Sequence, residues 1–191
     1  MNLNSWWHFQ RARLLILFKR YERAVVELQV ALRIDPNYAR AASSLGFLYG
    51  IMGRHELAVD QIQEAIALSP DNAFLYFNLG YVLHLQKRYE PAIEAFQRTV
   101  ELNPRIDRAW YGMGVAFGSL GRHADSAAAL ERAGELQPMN GYAWYELGMA
   151  YFTLERRDKL AEVLAHLDRF DPKMAQNLSR ATRTSSPGEL P

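Results

Sequence analysis

Five prolines, Pro36, Pro70, Pro104, Pro138 and Pro172, stand 34 residues apart, and four glycines, Gly46, Gly80, Gly114 and Gly148, keep the same interval without one insertion. Two registers that agree along a chain leave few folds open, because every segment must then make the same small structure and pack on its own copies. The segment from Ala73 to Ile106 shows what that structure is. Tyr76, Leu79, Gly80 and Leu83 fall at i, i+3, i+4 and i+7, one face of a helix. Lys87 and Arg88 interrupt the pattern; Ala92, Phe96 and Thr99 then recur at i, i+4 and i+7 until Asn103-Pro104, where proline cannot continue a helix. Each repeat is predicted to be helix, short turn, helix and proline stop. The 191 residues then read as one array over 1–174 rather than one or two globular domains.

The pattern of aromatic, Leu-Gly, aromatic, small, large, small and Pro resembles the tetratricopeptide repeat family, whose 34-residue unit is a helix pair. The resemblance runs from residue 5 to 174 in repeats 5–38, 39–72, 73–106, 107–140 and 141–174. It implies an all-α fold, a right-handed α-solenoid of antiparallel helix pairs. With the proline as position 32, the first repeat departs most, placing His8, Arg11 and Ala12 where an aromatic, Leu and Gly belong. Terminal repeats have one unpartnered side, so Trp6, Trp7 and Phe9 are expected to fold over the open end. Ala42 replaces the opening aromatic of the second repeat, Trp110 and Trp144 supply it in the fourth and fifth, and Leu160 and Leu167 stand where the fifth should have small residues. Residues 175–181 read as a short capping helix with Leu178 over the last repeat, and 182–191, rich in Ser, Thr and Pro, as a disordered tail.

Positions 4, 7, 8, 11, 20, 24 and 27 are spent on packing, so Tyr49, Trp110, Trp144 and Tyr151 read as core. Positions 2, 5, 9 and 12 form a second face of the first helix, about 100° away, and the resemblance implies that this face lines a concave groove. Ten of those twenty positions are aromatic in a chain that is 12% aromatic overall, and arginine is the only fully charged residue type among them. Exposed rings flanked by arginine are what interfaces use as anchors, because a ring buries much area at little entropy cost. Packing between neighbouring repeats at positions 9 and 12 is the plainer use of the same residues. The candidate peptide-binding groove comprises Arg40, Phe47, Phe74, Phe77, Asn78, Tyr81, His84, Arg108, Tyr111, Tyr142, Tyr145 and Met149. An apolar or aromatic-bearing segment, extended or helical, would bury these rings, with acidic residues meeting Arg40 and Arg108. Gly50 and Gly118 are expected to leave room for bulky side chains. Some members of the family grip a C-terminal carboxylate through a Lys, Asn, Asn, Lys, Arg set. Here those positions hold Ser43, Phe47, Asn78, Arg108 and Gly112, so that mode of binding is not expected.

Composition narrows the remaining classes. A net charge of +1 lacks the electrostatics of a nucleic-acid binder, and the absence of cysteine removes disulfides, thiolate metal sites and cysteine nucleophiles. The apolar run Leu14 to Phe18 falls far short of the roughly 20 residues that span a bilayer, and a cytoplasmic location is the default expectation. Gly112-Met113-Gly114 has no preceding strand to make a phosphate loop, and His84 has no carboxylate and histidine partners at metal or acid/base spacing. No catalytic, cofactor or metal site is predicted. The sequence reads as a non-catalytic adaptor that binds a protein segment. The alternatives are a self-associating scaffold and a regulatory subunit of a larger complex or enzyme.

Overall fold

A computed structural model of the chain describes residues 2–184. Among these residues every regular element is a helix: α1 (Leu3–Leu17), α2 (Tyr21–Ile34), α3 (Ala39–Ile51), α4 (His55–Leu68), α5 (Ala73–Leu85), α6 (Tyr89–Leu102), α7 (Asp107–Ser119), α8 (His123–Leu136), α9 (Gly141–Thr153), α10 (Arg157–Phe170) and α11 (Pro172–Thr184). They form two compact units divided between Leu102 and Asn103. The first unit holds three helix pairs, α1 to α6; the second holds two pairs and α11.

The repeated glycine explains how closely a pair packs. A Cβ on Gly46 would lie 2.5 Å from the Ile62 side chain, one on Gly80 2.7 Å from the Phe96 ring, and one on Gly114 2.6 Å from Leu130. The large residue of the second helix therefore sits against the bare backbone of the first. The small residues on either side of it, Ala58 and Ala65, Ala92 and Thr99, Ser126 and Ala133, are buried in the same seams. Each turn between paired helices uses a left-handed residue at one repeat position: Lys19, Gly53, Lys87, Gly121 and Glu155 have φ between 55° and 74°. That conformation reverses the chain within a few residues. Where one pair gives way to the next, asparagine caps α5 and α9: Asn72 Oδ1 accepts the Phe74 N–H at 3.1 Å and Asn140 Oδ1 the Ala143 N–H at 3.4 Å.

The ends of the chain depart from this rule. In the first pair, His8 Nδ1 lies 2.6 Å from Glu27 Oε2 and the Arg11 guanidinium 3.0 Å from Glu27 Oε1, so the residues that break the repeat pattern meet one carboxylate of α2. Phe9 is buried against Tyr38, with ring centroids 5.1 Å apart, whereas Trp7 is 56% exposed and does not fold over the end. In the last pair, Leu178 of α11 occupies the space above Gly148 and is fully buried. Leu167 is buried in the same core with Leu160 packed against it, and the side chain over the glycine comes from the next helix. Pro172 opens α11 rather than ending a helix, with Asp171 Oδ1 accepting the Met174 N–H at 3.1 Å. The helix runs past the predicted cap to Thr184, taking in the first three residues of the predicted tail; 185–191 lie outside the described residues.

Candidate functional site

The predicted face divides by repeat position, and each unit carries its own part of it. In the first unit, α3 and α5 present Arg40, Phe47, Phe74, Asn78, Tyr81 and His84 at the surface or half-buried. Position 2 is the open one, and Phe74 there is 53% exposed. Phe47 and Tyr81 face each other across the two helices with centroids 6.1 Å apart. Beside them Asn78 Nδ2 donates to Ser43 Oγ at 3.0 Å, which ties α5 to α3 on this face.

Two residues expected on this open face are used elsewhere. Phe77 is only 8% exposed and packs on Phe96 at 6.0 Å, so it belongs to the core of its repeat. A Cβ on Gly50 would lie 2.8 Å from Val82, so the room that Gly50 leaves is taken by α5 and not by a partner. His84 is half-buried beside Tyr89, with 5.4 Å between rings. Burial holds its imidazole below the ordinary histidine range, and its Nδ1 has no hydrogen-bond partner among the described residues.

In the second unit, α7 and α9 present Arg108, Tyr111, Tyr142, Tyr145 and Met149, with Tyr142 68% exposed at position 2. The helices are set by their tryptophans. Trp110 Nε1 donates to the Pro104 carbonyl and Trp144 Nε1 to the Pro138 carbonyl, each at 2.9 Å, so the proline register is tied to the helix that follows it. Here the glycine of position 12 does leave room. A Cβ on Gly118 would meet only Ser126 Oγ, at 3.5 Å, and Gly118 lines a cavity of about 240 Å³ with Val115, His123, Tyr145, Glu146 and Met149.

Glu146 was not among the predicted residues. It stands at position 6, off the face defined by positions 2, 5, 9 and 12, yet it lines the cavity. Its surroundings hold its carboxyl above the usual carboxylate range through loss of solvation, and no hydrogen bond or ion pair compensates among the described residues. Burial likewise raises the Tyr111 hydroxyl, with the nearby Glu146 carboxylate and Tyr142 adding to the effect. The sequence did carry a signal: Glu146 is the one charged residue in Gly141–Thr153, a helix that is otherwise apolar or aromatic but for Thr153.

No helix among the described residues is long and apolar enough to cross a membrane. Models of the tetratricopeptide repeat match residues 37–105, 89–135 and 111–175. No curated protein matches the chain. Among solved structures, a crystal structure of MamA is 22% identical over 97% of this chain and 99% of that one, with a TM-score of 0.71. Residues 41 to the end of MamA from Desulfovibrio magneticus RS-1 give a TM-score of 0.76 at 20% identity, covering 95% and 98% of the two chains. YrrB, described as a TPR protein with an unusual peptide-binding site, gives 0.73 at 26% identity over 91% and 90%.

Proposed function

The chain belongs to the tetratricopeptide repeat family, and from that premise we propose that it is a protein-interaction scaffold whose aromatic faces hold an apolar or aromatic-bearing segment of another protein. The observation that carries this reading is the set of rings left open after packing is complete. Phe47, Phe74, Tyr81, Tyr111, Tyr142 and Tyr145 remain half-buried or exposed on the first helices of their pairs, although the seams between paired helices are closed by other residues. Rings held on rigid helices lose little entropy when a partner covers them. In the first unit Arg40 flanks the rings and favours acidic residues on the segment bound there. The peptide-binding site ascribed to YrrB is in keeping with this use of the fold. The test is affinity capture with the wild-type chain beside Tyr81→Ala/Tyr145→Ala, both verified as equally helical by circular dichroism. A partner held by the first and lost by the second supports the reading; identical profiles reject it.

A second reading, self-association, is favoured by one observation. Leu3, Trp7, Leu14, Leu17 and Phe18 are exposed at helical spacing along α1 and its end, an apolar stripe that nothing in the first unit covers. If copies pair through it, Leu14→Ser/Leu17→Ser lowers the mass measured by light scattering while Tyr81→Ala/Tyr145→Ala leaves it unchanged. Equal masses for all three proteins remove this reading.

A further inference from the structure

The cavity between α7 and α9 combines three properties that together define a ligand chemistry. Its volume is about 240 Å³ against roughly 30 Å³ for one water in the liquid, so it admits a side chain. Val115, Tyr145, Met149 and Ala150 line it beside the hydroxyls of Ser119, Ser126 and Thr153, so its walls are more apolar than polar, and Tyr111 stands close enough to Glu146 to feel its charge. Glu146 lines it too, half-buried and without a hydrogen bond or ion pair among the described residues.

An apolar occupant would strip the remaining water from Glu146 and supply nothing in exchange, which is costly for a charged group. An acidic occupant would add repulsion. A cation restores the missing interaction, and tyrosine faces attract it further through their ring quadrupoles. The titratable groups beside Glu146 are Tyr111 on α7, His123 on α8 and Tyr145 on α9, and among the described residues none of them donates a hydrogen bond to it.

We propose that this cavity receives a lysine or arginine side chain of the bound segment, with Glu146 as its counter-ion and the Tyr145 ring beside it. The inference rests on the groove-binding reading and specifies it: the segment held by the second unit carries a basic residue among its apolar ones. Gly118 has a role in this account, because the absence of a side chain there keeps the cavity open.

The test uses immobilised synthetic peptides with apolar and aromatic flanks randomised around one fixed central residue: arginine, lysine, citrulline, norleucine or glutamate. Full-length wild type, Glu146→Gln and Tyr145→Ala are compared, each confirmed as folded by circular dichroism. Wild type is expected to favour the arginine and lysine sets over citrulline, norleucine and glutamate by about tenfold, near what one desolvated cation–ring or charge contact supplies. Glu146→Gln loses that preference while keeping its affinity for the apolar flanks. A wild type without the preference, or a Glu146→Gln protein that retains it, overturns the proposal. If Tyr145→Ala weakens every set while Glu146→Gln changes none, the groove stands and the cation site falls. If wild type retains no set, both fall.

Discussion

Glu146 shows what one side chain adds to a repeat. A carboxyl whose folded value is raised is penalised when it ionises, so its cost to the fold is absent below the ordinary value of about 4.3 and complete once pH exceeds the raised one. Glu146→Gln should therefore melt above wild type near about pH 8, and the gap should close as the pH is lowered toward about 4; a gap that does not vary with pH would contradict the burial argument. The glycines make a second residue-scale contrast. Gly80→Ala drives a methyl group to 2.7 Å from the Phe96 ring and should cost about 1–3 kcal/mol in urea unfolding. Gly118→Ala meets ordinary contact distance at Ser126 and should be neutral or mildly stabilising through helix propensity, by up to about 1 kcal/mol. The shared 34-residue interval identified Gly80 as a packing residue, but Gly50 and Gly118 occupy one repeat position and differ in what the next helix places opposite. Val82 fills the first site, whereas the equivalent residue opposite the second is Ala150, whose methyl group leaves the cavity open, a difference that the shared glycine register alone does not show.

At the scale of elements, the paired helices were legible because their boundaries are chemical: a left-handed turn residue between partners and a proline after them. The turn predicts its own substitutions. Gly121 sits at φ 71°, and Gly121→Ala should lose about 1–2 kcal/mol, while Lys87→Gly, at φ 59°, should gain up to about 1 kcal/mol; equilibrium denaturation of the two variants checks both signs. The last element was less legible. Leu160 and Leu167 signalled that the fifth pair would not close in the usual way, yet the length of α11 followed from Asp171-Pro172 working as a cap and first residue rather than as a stop. Because Leu178 takes the place above Gly148 that a large residue of the second helix fills elsewhere, Leu178→Ala should cost about 2–5 kcal/mol, the range of a fully buried leucine. A loss below about 1 kcal/mol would mean that α11 is an appendage and not part of the fold.

For the whole molecule, periodicity dictated the class of fold, since packing repeats at a fixed interval is what makes an array. The candidate binding faces were legible only as a set of positions. Phe77 shares its repeat position with Tyr111 and Tyr145 but packs on Phe96 in the core, and Glu146 lies off the face yet reaches the cavity. Packing claims some residues of a face and releases others, and the balance depends on side-chain sizes brought together by folding. The released ones are those proposed to carry the function. Affinity capture from the source cells by the wild-type chain, run beside an equally helical Tyr81→Ala/Tyr145→Ala variant, tests that claim most directly. The account predicts a partner retained by the first protein and absent from the second; the same proteins recovered in the same amounts by both would contradict it.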